Sequence, residues 1–292
     1  MPAVWLPAIE SYHPAGGASA SLDNRTQLGV HAPDRRPGWY LNDWSTAGEA
    51  SAFWSERTVR VDADPVSSTG VQKTFHAQGG SGACVRTDAE AAEDRERSTR
   101  RSRGRLRRYA VHNRLARLVT MTYRHPVYEF DRMRLDVAQF ERRLREAYPG
   151  VAYEFAYELH PGGHGWHVHG GLSQFIPQAR LVALWGHGFI WVFKVRARQF
   201  GAVSGGREMA RRVAVYLSKY IGKAAEVIPP GRQRYSVRQG LQPVCRRVFL
   251  GAPLDVSRSM LAELGGEIPS YVWSSSGSPE WIGPPAEFVA FG

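Results

Sequence analysis

Two runs in which apolar and polar residues alternate, 151–159 and 166–173, are joined by His160-Pro161-Gly162-Gly163-His164-Gly165. No other stretch constrains the fold as much, because strand periodicity of two on either side of a Gly-Gly turn specifies both a hairpin and its register. With Gly162 and Gly163 as the turn, Glu158 lies opposite His167 and Ala156 opposite His169. Around this hairpin, 118–123 reads as a strand closed by His125-Pro126, and Leu135, Val137, Phe140, Leu144 and Tyr148 recur at helical spacing until Pro149-Gly150. A short helix over 177–185, a strand over 189–195 and a helix over 208–221 follow. The last carries the apolar row Met209, Val213, Leu217, Ile221, with Gly222 as its terminator, and one further strand is expected around 244–250. Strands and helices mixed without a strict parallel repeat predict an α+β domain over residues 99–250.

The flanks read differently. Residues 1–98 are rich in Ala, Gly, Ser and Pro with no sustained period, which predicts a low-complexity, poorly ordered N-terminal arm, although Trp39, Tyr40, Trp44, Phe53 and Trp54 are enough rings to dock on a core. Residues 251–292 read as a Pro/Gly/Ser-rich tail. The formal net charge is +11 and the sequence pI about 10.0, a balance that concentrates polyanions such as nucleic acid. Neither a membrane-spanning run nor a secretory signal is legible, so no membrane partner and a cytoplasmic location are expected. Cys84 and Cys245 lie outside any zinc-ligand spacing. From Arg95 to Arg117 ten arginines surround few acids. This run reads as a basic helix or arm tracking DNA phosphates, with Arg103, Arg105, Arg107 and Arg108 as contacts, or else as a solvated helical face.

Side chains alternate across a strand, so His167 and His169 share one face while Val168 turns to the other. Glu158, opposite His167 in the expected register, completes a set of one carboxylate and two imidazoles that leaves positions open on a divalent cation, Mn or Mg. Glu154 is the alternative carboxylate, and His160 and His164 compete as ligands if the turn is placed differently. Gly170 and Gly171 leave room for a sugar-phosphate backbone.

Tyr216 and Tyr220 are one helical turn apart, Arg212 and Lys223 extend their row, and Lys219 and Lys223 each stand three residues after a tyrosine. Lysine is rare here, confined to Lys73, Lys194, Lys219 and Lys223. A phenol with a pKa near 10 is a poor nucleophile unless a cation favours its phenolate, and these ammonium groups supply that charge or neutralise a reacting phosphate. The bland alternative makes both tyrosines core aromatics of an amphipathic helix.

These residues together resemble the HUH endonucleases, in particular the rolling-circle plasmid replication initiators of the actinobacterial type. The resemblance runs from about Arg103 to Val248 and rests on Arg107-Arg108-Tyr109, Glu158-Leu159-His160, Trp166-His167-Val168-His169, Leu184-Trp185-Gly186-His187-Gly188, the octad Tyr216–Lys223 and Gln239-Gly240-Leu241-Gln242-Pro243. It implies an antiparallel sheet flanked by helices, ferredoxin-like or RRM-like, with the histidine pair on a central strand and the tyrosine helix against it. It also implies that a tyrosine attacks an origin phosphate of single-stranded or hairpin DNA, leaving a 5'-phosphotyrosine and a free 3'-hydroxyl. Tyr220 is then expected to make the first cut and Tyr216 the second transfer. No phosphate-cradling Gly-x-x-x-x-Gly-Lys-Ser/Thr loop is present, so a host helicase and replication machinery would be partners. A relaxase or transposase of the same superfamily is an alternative; a histidine-triad nucleotide hydrolase would need a third histidine where Gly171 stands. A non-enzymatic, arginine-rich DNA-binding regulator is the alternative of another class.

Overall fold

Two five-stranded antiparallel sheets and five helices make up the part of the chain that the computed structural model describes: residues 37–56, 61, 87–195, 206–228 and 231–292. The first sheet is built from β3 (Arg117–Tyr123), β4 (Tyr153–Leu159), β5 (Trp166–Leu172), β6 (Gly188–Lys194) and β7 (Tyr235–Val237), in the order β6-β3-β5-β4-β7. Its register matches the expected one: Glu158 pairs with His167 and Ala156 with His169. The connection is wider than two residues, since the His160 amide still bonds the Gly165 carbonyl at 3.0 Å and Gly163 takes φ 76°. Widening the loop evenly on both sides leaves the register unchanged.

Alternation separates the faces of this sheet. Tyr153, Phe155, Tyr157, Trp166, Val168, Leu172, Val119, Met121 and Ile190 point to one side, where α2 (Phe130–Ala147) and α3 (Gln178–Trp185) bring Met133, Val137, Phe140, Leu144, Leu181 and Trp185 into the main core. Glu158, His167, His169 and Thr120 lie on the other side, which α1 (Asp88–His112) and α4 (Gly206–Val227) cover through Leu106, Tyr109, Val213, Leu217 and Ile221. Thr87 caps α1 with a capping box: its hydroxyl accepts from the Glu90 amide, and the Glu90 carboxylate accepts from the Thr87 amide at 2.8 Å.

The second sheet, ordered β8-β1-β2-β10-β9, draws strands from both flanks of the chain. It contains β1 (Gly38–Trp44), β2 (Glu49–Ser55), β8 (Arg246–Gly251), β9 (Tyr271–Ser274) and β10 (Ala286–Ala290). One face packs on α5 (Val256–Glu263), with Leu41, Ala50, Ala52, Met260 and Val289 buried together. The other meets the outer side of α1, where Arg107 bonds the buried Glu49 carboxylate and the Arg108 guanidinium lies 4.1 Å from the Trp44 ring centroid.

These strands correct the expected organisation. Within the arm assigned to 1–98, residues 38–55 form a hairpin and 88–98 open α1, while residues 1–36, 57–60 and 62–86 lie outside those described. The stretch 251–292 is no bare tail, since it supplies α5, β9 and β10. The strand expected around 244–250 does form, but it joins β1 in the second sheet. The strand partners here are separated by some two hundred residues, so no local window of sequence displays the pairing. Gly222 does not end the tyrosine helix, which continues to Val227. A Cβ at this position would stand 2.6 Å from the Arg103 guanidinium, so the glycine leaves room for that side chain where α1 meets α4. Among the described residues no helix is long and apolar enough to cross a membrane.

Candidate active site

Antiparallel pairing puts Thr120 of β3, His169 of β5 and Ala156 of β4 in one row, with Glu158 beside His167 in the next. His169 Nε2 lies 2.9 Å from Glu158 Oε2, and its Nδ1 lies 3.2 Å from the Thr120 hydroxyl, so both ring nitrogens are held. The other carboxylate oxygen of Glu158 accepts from Lys223 Nζ at 2.6 Å. Glu158 is thus gripped from the sheet by an imidazole and from the helix by an ammonium.

Electrostatics follow from this grip. Burial alone would raise the Glu158 carboxyl, but hydrogen bonds from Lys223 and His169 outweigh it and hold the group below its ordinary range. Burial pulls His169 down to about 4, against the opposing pull of Glu158. Burial also lowers His167, as does its neighbour His160. Both imidazoles are therefore neutral at pH 7, the state in which a ring nitrogen offers a lone pair.

Helix α4 lays its tyrosines on this cluster. The Tyr220 ring stacks on His169 with centroids 3.7 Å apart and planes 6° from parallel, and the Tyr220 hydroxyl donates to that of Tyr216 at 2.9 Å. Tyr216 stands edge-on to both rings, 6.2 Å from His169 and 5.3 Å from Tyr220. Both tyrosines are half-buried, neither sealed in the core nor free in solvent. The close seat of α4 comes from Gly171, where a Cβ would lie 2.7 Å from Val213 of that helix.

No family model, curated protein or solved structure matches this chain.

The expected residues sort into three groups. Glu158, His169, Tyr216, Tyr220 and Lys223 are brought together. Lys219 is exposed, with its ammonium 5.9 Å from the Tyr216 ring centroid. His167 is beside Glu158 in register, but its ring is 4.8 Å from that of His160, which also meets His164 at 4.9 Å. Among the described residues no group of three or more His, Cys, Asp or Glu side chains is disposed to hold a metal ion, so the expected three-ligand set is not assembled as a centre.

Other expectations are corrected. Glu154, the alternative carboxylate, is opposite Gly171 and wholly buried, too deep in the packing under α4 to serve. Gly170 and Gly171 give no room to a polynucleotide, because Phe155 and Val213 already occupy the space above them. Lys223 does not favour a Tyr220 phenolate: its charge is spent on Glu158, and burial, the Tyr216 hydroxyl and the Glu158 charge all push the Tyr220 phenol upward. Among the arginines, Arg103 donates to the Ser218 carbonyl at 3.2 Å, Arg107 and Arg108 tie α1 to the second sheet, and Arg212 pairs with Glu208 at 2.9 Å. Arg105 is exposed.

Two features escaped the sequence. Thr120 orients His169, but only the pairing of β3 with β5 brings them together. Phe189, Trp191 and Phe193 of edge strand β6 pair with Thr122, Thr120 and Leu118, so they share the face of His169 and are 43%, 54% and 54% exposed. Ile190 and Val192, alternating with them, turn to the core. The signal was an edge strand apolar on both faces.

Proposed function

We propose that this chain is a metal-dependent endonuclease and strand transferase of single-stranded DNA, acting through tyrosine as a rolling-circle replication initiator of the HUH type. The observation that carries the reading is the pair of mutually hydrogen-bonded phenols stacked on His169, which is bonded in turn to a carboxylate that also holds Lys223. A packed core has no use for two tyrosine hydroxyls, a neutral imidazole, a carboxylate and an ammonium converging at the edge of solvent. Phosphodiester transfer uses all of them.

A carboxylate beside imidazoles is a donor set that suits a divalent cation with borderline character, Mn more than Mg. His169 Nε2 and Glu158 Oε2, 2.9 Å apart, would be its first two ligands. Glu158 and His169 would hold Mn or Mg, with His167, beside Glu158 in register, as the third ligand that the sequence suggests. Such an ion supplies positive charge to the phosphate oxygens and offsets the Glu158 charge that now opposes a phenolate.

The chain's own groups do the rest. A phenol oxygen attacks phosphorus and loses its proton, the bond to the 3'-oxygen breaks, and that oxygen takes up a proton as the free 3'-hydroxyl. The product is a 5'-phosphotyrosine. The second tyrosine, bonded to the first, is positioned for the return transfer. Lys219 and Arg212 stand on the tyrosine helix to meet phosphate charge, while Lys223 positions Glu158. The aromatic row of β6 gives unpaired bases a stacking surface on the same face, an observation that favours a single-stranded or hairpin substrate over duplex. The HUH assignment for the first sheet, the origin as target, a host helicase as partner and Tyr220 as first nucleophile rest on the sequence resemblance. A relaxase or transposase would share this chemistry on another substrate.

Incubation with a labelled hairpin oligonucleotide and Mn is expected to give a protein–DNA adduct that survives denaturation. It should be lost on chelation, lost in Tyr220→Phe and retained in Tyr216→Phe. The reverse pattern overturns the order of the tyrosines, and adduct in the double Phe variant overturns the mechanism.

A further inference from the structure

A cleft of about 1130 Å³ runs between the outer face of α1 and the β9–β10 side of the second sheet, and neither tyrosine lines it. Six arginines and one acid, Glu93, line it. Positions 97, 100, 101, 104 and 108 recur at steps of three and four, so they form one stripe along the helix. The far end of the stripe is occupied, since Arg107 and Arg108 are tied to Glu49 and Trp44. Among the described residues the near end is not tied across the cleft. Arg97 and Arg100 reach only Glu93 and Glu96 one turn away on the same helix, at about half exposure, and Arg101 is exposed. Exposed pairs of this kind are weak, and a phosphate displaces them readily.

Trp273 and Trp281 form the opposite wall, edge to face with centroids 5.2 Å apart. The Trp281 indole N–H donates to the Pro284 carbonyl at 2.8 Å, which fixes the ring while leaving it 38% exposed. Arginines facing fixed, accessible indoles match a polymer of alternating phosphates and flat rings.

Gly104 supplies the second, independent observation. It lies on this stripe in the middle of a 25-residue helix, where glycine is unfavourable relative to alanine. Internal packing does not require it: an added Cβ would meet only the Arg108 guanidinium, at an ordinary contact distance of 3.4 Å or more. Gly104 lines the cleft and puts no side chain into it.

We infer that this cleft is a second nucleic-acid site, taking an unpaired stretch of DNA with its phosphates along Arg97, Arg100 and Arg101 and its bases against Trp273 and Trp281. The choice of DNA rests on the function proposed above; the site itself needs neither tyrosine. A volume at or beyond the upper end of small-molecule pockets, about 300–1,000 Å³, fits several nucleotides better than one.

Fluorescence anisotropy with the full chain, a labelled 20-nucleotide oligothymidylate and a 20-base-pair duplex tests this. Arg100→Glu/Arg101→Glu and Gly104→Leu are each expected to weaken oligothymidylate binding about tenfold, with a smaller effect on duplex. Gly104→Ala should leave affinity nearly unchanged and raise Tm, and the Tm of Gly104→Leu shows that its loss of binding is not a loss of fold. Unchanged affinity in the charge-reversal and leucine variants overturns the site, and a parallel loss on duplex reduces it to a patch of charge and overturns the base-stacking assignment. Tyr216→Phe/Tyr220→Phe separates the two proposals. If wild type forms no adduct while the cleft variants still lose oligothymidylate binding, the nicking reading fails and the cleft stands. If the adduct forms and the cleft variants bind normally, the reverse holds.

Discussion

At the scale of single residues, Glu154 contrasts with Glu158 four positions away on the same strand face. Glu158 is satisfied from two sides, whereas both Glu154 carboxyl oxygens are buried with no hydrogen-bond partner among the described residues. Burial raises the Glu154 pKa well above its ordinary 4.5. Folding therefore retains a proton that the unfolded chain releases, so the protein loses stability as pH rises from about 4.5 toward the raised folded value. Glu154→Gln removes the titration. Its Tm relative to wild type is expected to climb between pH 4 and pH 7.5 by at least a few degrees, since a kcal/mol shifts Tm by about 2–4 °C at this size. Melting curves at the two pH values check it, and a difference that does not change with pH would refute the buried carboxyl.

At the scale of elements, the seat of α4 on the sheet decides whether the site exists. Tyr220 reaches His169 because nothing intervenes between Val213 and β5 at Gly171. Gly171→Val would drive a branched side chain into Val213 and Leu115. Overpacking of this kind costs about 1–3 kcal/mol, and the helix can relieve it only by moving outward. Adduct formation is expected to fall far more than stability does, by a hundredfold or so on the usual scale for a misplacement of about 1 Å. A Gly171→Val protein with wild-type adduct rates would show that the close approach is incidental. The sequence assigned Gly171 to ligand access, because a glycine beside a histidine pair looks the same whether it makes room for substrate or for a helix.

At the scale of the whole molecule, the second sheet closes strands from 38–55 with strands from 246–290 over the back of α1. Glu49 is 1% exposed, and the Arg107 guanidinium is its ion-pair partner across that junction. Arg107→Ala removes the hydrogen-bonded cation of a buried carboxylate and leaves it only the more distant charges of Arg108 and Arg211. The expected loss is about 2–3 kcal/mol by denaturant unfolding, below the 3–5 of a fully buried pair because the arginine is more than one-third exposed. Arg107→Ala combined with Glu49→Gln should recover part of it. If the single variant is as stable as wild type, Arg107 is free for phosphate, as the sequence alone suggested. Sequence by itself determined what neighbouring residues dictate to one another: the hairpin carrying Glu158 opposite His167, the shared face of the two histidines, the tyrosines one turn apart, and the order of helices and strands between 118 and 221, though not the end of the tyrosine helix. Periods of 2 and 3.6 and a Gly-Gly turn act over about ten residues, so a window of that size contains the cause. Only the tertiary structure decided that β1 and β2 pair with β8 and β10, that Thr120 holds His169, that Lys223 turns to Glu158 rather than to a phenol, and that Arg103, Arg107, Arg108 and Arg212 each also make a contact within the protein. Each of these depends on side chains distant in sequence competing for the same few ångströms, and that competition is settled by packing.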